Sequence, residues 1–290
     1  MAIKALVVGG TSGIGYAMAC RVAAAAATEA NPPSVIIAGR TKPENLPHPN
    51  MEFRRLDATS MREIKQYTDE LKSAAPGQQL DMLIMTQGIF TVAGRTETPE
   101  GIDGKMALHY YGRQLFIREL LPALREDAKV ITVLDAKLGS PDKLLWEDLD
   151  LKNNFSLGRA ASHCITLNDA MVQYHAAQQR QLGVGRRHFV HAFPGGVNTP
   201  GITREMPWYL RPLVRLVVPF TVTPDTCAKY LLDGAVNCTA AGEKEGRFWS
   251  NIDNKGQLVK NKAIWSDEQM EKIADHTWGL IDKALAGSST

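Results

Sequence analysis

Two hydrophobic periods alternate along the chain. Short apolar runs at residues 3–8, 34–38, 51–56, 80–86, 130–134 and 188–193 have the length and β-branched content of buried strands. Between them, apolar residues recur at helical spacing: an Ala-rich stretch from the Gly9 turn to about Ala30, then 60–74, 102–124 and 157–182. Asn31-Pro32-Pro33 ends the first of these, because proline lacks the amide hydrogen that a helix needs. Such alternation predicts an α/β protein: a single-domain, Rossmann-type, doubly wound parallel sheet of about seven strands, with helices on both faces. Beyond Pro194 the texture changes. Residues 200–224 hold five prolines together with Met206, Trp208 and Tyr209, and read as a substrate lid of short helices. Residues 226–238 read as a helix, 247–250 as an edge strand and 266–286 as a C-terminal amphipathic helix. No linker or repeat interrupts the pattern, so 1–290 reads as one domain.

Charge narrows the partners. Lys plus Arg number 33 and Asp plus Glu 31, a net charge of +2, which gives no reason to expect nucleic acid or an anionic membrane. Cys20, Cys164, Cys227 and Cys238 are too scattered for a CxxC or a zinc set, so free thiols in a reducing compartment and no metal are expected. No apolar run approaches the roughly 20 residues that span a bilayer, and the N-terminus reads directly as a strand. The expectation is a soluble cytoplasmic protein whose partner is a small molecule.

Gly9-Gly10-Thr11-Ser12-Gly13-Ile14-Gly15 lies between the first strand and its helix. Glycine allows the sharp turn and the close approach of a pyrophosphate to the backbone, and the helix N-terminus beyond offers free N–H groups and a positive dipole end. At the end of the second strand a carboxylate would hold ribose hydroxyls and repel a 2′-phosphate. This chain has Gly39, Arg40, Thr41 and Lys42 there, and a guanidinium can pair bidentately with phosphate. The pattern favours NADP(H).

Over residues 3–250 these motifs resemble the short-chain dehydrogenase/reductase superfamily. Gly9-x-x-x-Gly13-x-Gly15 matches that family's glycine turn, and Leu56-Asp57-Ala58 is similar to its adenine-contacting segment. Met85-Thr86-Gln87-Gly88 stands where the family has Asn-Asn-Ala-Gly. Pro194-Gly195-x-Val197-x-Thr199 is similar to the segment that contacts the nicotinamide amide. The resemblance implies that Gly9, Thr11, Ser12, Gly13, Ile14, Gly15, Arg40, Thr41, Asp57, Ala58, Gln87, Gly88, Pro194, Gly195, Val197 and Thr199 bind the cofactor.

The catalytic part departs from the family, which works with Ser, Asn and a Tyr-x-x-x-Lys helical turn. None of the seven tyrosines is followed four residues on by lysine. Spacing carried over from the resemblance puts Ala136 at the Ser (Asp135 if the register slips by one), Ala161 at the Tyr, Ile165 at the Lys and His109 at the Asn, with Asn168 nearby. Asp135, His109 and Lys137 are the candidate replacements. Asp135 would act as acid or counter-ion, or else bond to nearby backbone; His109 would titrate near neutrality, or else pack as a hydrogen-bonded core residue. Ala136, Ala161, Met206, Trp208 and Tyr209 are the candidate substrate contacts, and His163 is placed on solvent or a dimer face.

Three functions stay open. One is an NADP(H)-dependent oxidoreductase with a rebuilt site, acting on a small organic iminium or activated carbonyl compound. Another is an isomerase, cyclase or dehydratase that uses the cofactor site as scaffold, and the third is a silent NADP(H) sensor. Resemblance to tetrad-lacking fungal biosynthetic proteins, in secondary metabolism, supports the first two. It also implies a homodimer or homotetramer built on the two helices that carry Tyr110, Leu115, Ala160, Cys164 and Met171.

Overall fold

A computed structural model describes residues 3–25, 34–74, 77, 79–183, 185–199 and 221–287. Strands β1 (Lys4–Val8), β2 (Ser34–Gly39), β3 (Met51–Arg55), β4 (Leu80–Met85), β5 (Leu124–Val133), β6 (His188–Ala192) and β7 (Trp249–Ile252) form one sheet. Their order is β3-β2-β1-β4-β5-β6-β7, and every neighbouring pair is parallel. Strands of such a sheet are covered on both faces, which explains why β1 is largely apolar rather than alternating and why β6 is buried at every position, its two histidines included.

Helices α1 (Gly13–Ala24) and α6 (Pro224–Lys244) cover one face, where Met18, Val22, Cys227 and Leu231 join Val7, Ile37 and Val190 in one apolar layer. The other face carries α2 (Met61–Ala74), α4 (Gly112–Leu120), α5 (Leu157–Leu182) and α7 (Asp267–Ala286). Helix α5 begins where Ser156 Oγ accepts from Arg159 N–H and ends at Gly183, whose φ of +64° closes the helix in the left-handed region. A capping box between Ser266 and Gln269 starts α7.

Four details differ from the sequence pattern. The helix expected over 102–124 is short α3 (Gly104–Met106), a π-helical turn at Ala107–Tyr111, then α4. Strand β5 starts six residues earlier than its apolar run: Leu124 pairs with Leu80, the register then shifts before Lys129 pairs with Met82, and Arg125 is tied to Asp81 on β4 (3.1 Å). The edge strand lies at Trp249–Ile252 instead of 247–250. Most important, α7 lies across α2 and α5, and Tyr110 Oη meets Thr277 Oγ1 at 2.6 Å while Tyr111 Oη meets His276 at 3.1 Å. Tyr110, Leu115, Ala160, Cys164 and Met171 are therefore buried inside the chain itself, and the apolar face offered above as a subunit interface is taken. His163 is buried too: its ring accepts from Leu145 N–H and bonds the Leu149 carbonyl, stapling the 145–149 loop to α5. The stretch 200–220, which holds most of the proposed lid with Met206, Trp208 and Tyr209, lies outside the described residues.

Candidate active site

In a parallel sheet the ligand crevice opens at the carboxyl ends of the strands, where the strand order reverses. Here that point lies between β1 and β4. A groove of about 420 Å³ occupies it, lined by Gly9, Thr11, Ser12, Gly13, Ile14, Gly15, Arg40, Asp57, Ala58, Gln87, Gly88 and Thr199. Twelve of the sixteen residues expected to hold a dinucleotide thus share one wall system, and Pro194 lines the next hollow. Thr41, Gly195 and Val197 lie outside both linings, Val197 because it is buried in a bridge to Val222.

The turn works because backbone passes close to backbone. Gly9 has φ +79°, and a Cβ there would stand 2.5 Å from Gln87 N. At Gly39 a Cβ would meet the Thr11 side chain at 2.8 Å, so a side chain there would require Thr11 to move. Exposed Arg40 is left as the charged group on that rim. Gln87 is 6% exposed, and neither its side-chain oxygen nor its nitrogen has a partner. Buried amides are nearly always satisfied, so an orphaned one on a groove wall fits a ligand bearing hydroxyls. Sequence reasoning missed Thr86, Ile89 and Lys105, which also line this groove. Lys105 is tied to the Gly94 carbonyl (2.7 Å) and Asp103 (3.0 Å), so its charge is neutralised within the fold.

Ile14, Thr86, Gln87 and Gly88 also line a second hollow of about 270 Å³, closed by His109, Arg113, Val133, Leu134, Asp135, Phe193 and Pro194. Asp135 is half-buried here, and its Oδ1 accepts from Lys137 N–H (2.9 Å). Ala136 turns into the core, fully buried, with its carbonyl held by Asn251 (3.1 Å). The residue that reaches the hollow is therefore Asp135, one register place from Ala136. Lys137 is exposed and lies over the Phe193 ring, 5.4 Å from its centre, outside the lining. His109 lies against Gly88, and its Nε2 accepts from Ile89 N–H at 3.0 Å. Burial, then Arg113, pushes its pKa down to about 4, so the ring is neutral and does not titrate near neutrality. Ala161 is exposed and lines neither hollow.

Two buried polar clusters hold this end of the sheet. Asn168 Nδ2 donates to the His109 carbonyl (2.9 Å) within the π-helical turn, and its Oδ1 accepts from Gln114, whose own oxygen meets His175. Asp169 lies one residue further on, its carboxylate fully buried between His191 (3.3 Å), Lys262 (3.0 Å) and Asn251. Lys262 donates to Gly139 and Asn251 to Ala136, so the loop carrying Asp135 hangs on this cluster.

No protein-family model matches the chain. An oxidoreductase of Emericella nidulans is 34% identical over 217 residues, which are 71% of this chain and 61% of that protein. Human polyprenol dehydrogenase is 31% identical over 302 residues, 97% of this chain and 86% of that one. A Stachybotrys chartarum protein named as a short-chain dehydrogenase/reductase is 27% identical over 243 residues, 76% and 67% of the two chains. The chain belongs to the short-chain dehydrogenase/reductase superfamily. Among solved structures, an NADPH-bound carbonyl reductase from chicken fatty liver covers 91% of it at a TM-score of 0.62 and 20% identity, a likeness of fold. As a short-chain dehydrogenase/reductase the chain has a groove of the expected kind, yet no Tyr-x-x-x-Lys turn on any helix. Among its described residues, no helix is long and apolar enough to cross a membrane and no group of side chains could hold a metal ion.

Proposed function

We propose that the chain is an NADP(H)-dependent oxidoreductase whose proton relay has been rebuilt. The observation that carries it is the single groove that joins the glycine turn, Arg40, Asp57 and the unpartnered Gln87 side chain. In it, the N-terminal turn of α1 would hold the pyrophosphate, Arg40 the 2′-phosphate, Asp57 and Ala58 the adenine, and Gln87 a ribose hydroxyl. The nicotinamide half would lie toward the hollow that Asp135 and Pro194 line. When bound, that ring gives or takes a hydride.

The chain's own residues then limit the acceptor. A plain ketone needs a proton on its nascent alkoxide, and a general acid is worth about 10²–10⁴ in rate. Among the described residues, the only carboxyl group on the hollow is Asp135, and His109 is neutral with Nε2 committed to Ile89. The surroundings suit an activated carbonyl acceptor that yields a stabilised enolate, with Asp135 as acid, whereas a cationic iminium would meet the buried Arg113 guanidinium on the same hollow.

Calorimetric titration with NADPH and NADH, with Arg40→Ala as control, tests it. NADPH is expected to bind at least about tenfold more tightly, and removing a charge-assisted phosphate contact worth about 1.5–3 kcal/mol should erase the preference. Equal affinities unchanged in Arg40→Ala would overturn the reading.

A further inference from the structure

Among the described residues, Arg113 is the one charged side chain on the second hollow that neither the glycine turn nor the catalytic replacements account for. Its side chain comes from the first turn of α4 and is 1% exposed. Nη1 donates to the Val133 carbonyl (3.0 Å) and Nη2 to the Gln87 carbonyl (2.7 Å), so the guanidinium spans the carboxyl ends of β4 and β5. Its Nε has no partner, and among the described residues no carboxylate lies within ion-pair distance of it. Burying a charge without a counter-ion costs several kcal/mol, a cost an apolar side chain of the same length would avoid. Arginine keeps its proton even here: burial lowers its pKa only to about 10.

Among the described residues, the other titratable groups near Arg113 do not cancel it. His109 is neutral, and the Cys164 thiol near Arg113 is pushed up to about 12 by burial and stays protonated. Asp135 is half-buried and open to water, which screens it, and Lys137 lies outside the lining. Arg113 is therefore the fixed charge of the floor, acting through a dry, weakly screening interior.

We infer that Arg113 sets which oxidation state of the nicotinamide the chain holds, favouring the neutral reduced ring over the cationic oxidised one. This rests on the cofactor reading above. Loss of a hydride leaves the ring with a positive charge, so a cation held beneath the hollow repels the oxidised form and leaves the reduced form alone. The same field favours negative charge growing on an acceptor oxygen. A chain so built stays loaded with NADPH and releases NADP⁺, which is the cycle of a reductase. The arginine acts on the ring's surroundings as a positioning charge and touches no reacting atom.

Titrating the full chain with NADPH and with NADP⁺ measures this without any substrate. The wild type is expected to hold NADPH about tenfold more tightly, equivalent to about 1.4 kcal/mol. Arg113→Lys, which keeps the charge, should keep most of that ratio. Arg113→Met and Arg113→Gln, the second retaining a donor for the Gln87 carbonyl, should bring it to within about twofold of unity, a change of about 1 kcal/mol. A purely structural arginine would weaken both forms alike and leave the ratio unchanged, which would overturn the inference. So would a wild type that binds NADP⁺ as tightly as NADPH, a result that needs no variant to fold. If neither form binds, the groove is not a dinucleotide site and the cofactor reading falls first.

Discussion

Replacing Lys262 with methionine tests whether the cluster behind the Asp135 loop is an electrostatic unit. Lys262 is 6% exposed in its side chain, and its Nζ sits 3.0 Å from the fully buried Asp169 carboxylate. The same ammonium donates to the Gly139 carbonyl at 2.9 Å. Removing one partner of a buried pair costs about 3–5 kcal/mol, because the other charge stays behind in the interior. The stranded carbonyl adds about 1 kcal/mol. Set against a total stability of about 5–15 kcal/mol, Lys262→Met should lose a third or more of it.

His191 then decides how that loss varies with pH. In the intact chain burial holds its pKa below the usual histidine value, with the bond to Asp169 pulling upward and Lys262 pushing down. Without Lys262, the imidazole becomes the only cation that can answer Asp169, and its folded pKa should rise above the unfolded value near 6.5. A group raised in this way adds stability that is complete below about pH 6.5 and lost as pH rises through the folded pKa. The penalty in Lys262→Met is therefore smaller near about pH 6 than near about pH 8. Urea denaturation at both pH values reads it directly. Adding Asp169→Asn removes the stranded charge and should recover most of the loss. A single variant within about 1 kcal/mol of wild type, or a double variant as weak as the single, would refute the reasoning.

Burial holds the wholly buried His175 and His188 neutral, with pKa values pushed down to about 3 and about 4. The unfolded chain binds protons first as pH falls below about 6.5, so near about pH 5.5 each costs about 1.4 kcal/mol, about 3 kcal/mol together. An unfolding free energy that stays flat between neutrality and that pH would contradict this. With α7 closing the α4/α5 face, a chain ending before Ser266 should self-associate beyond the full chain's own state in light scattering, through the bared apolar surface. A soluble, monomeric truncation would show that α7 covers little.

What was legible in the sequence is what local rules decide. Buried parallel strands are apolar on both faces, so β1, β4 and β6 stand out within a residue of their observed ends. Helix α5 matches its periodicity from Leu157 to Leu182 because a serine cap and a left-handed glycine bracket it. The glycine turn was equally plain, since its geometry depends on residues adjacent in the chain. The interface was not. An amphipathic pattern says that Tyr110, Leu115 and Met171 need covering, and it is silent on whether a second copy or residues 267–286 of the same chain will do it.

Arg113 was missed for a related reason, although a signal was present. Through Tyr110, Tyr111, Gln114 and Leu115 the sequence marks this helix as buried on more than one side, so an arginine at 113 can hardly reach water. A charged residue inside an apolar stretch is worth following, because burial makes it costly and only a partner or a task offsets that cost. Gln114, Asn168, Asp169 and His175 carry the same mark, and each is now found in a bonded cluster. Arg113 differs in that its partners are two strand-end carbonyls and none of them is an anion. No lysine stands four residues after a tyrosine in this chain, and Arg113 places a buried cation at the carboxyl ends of β4 and β5. A buried cation at this end of the sheet, in a chain without a Tyr-x-x-x-Lys pair, is the reason to look for an acceptor that needs electrons more than it needs a proton.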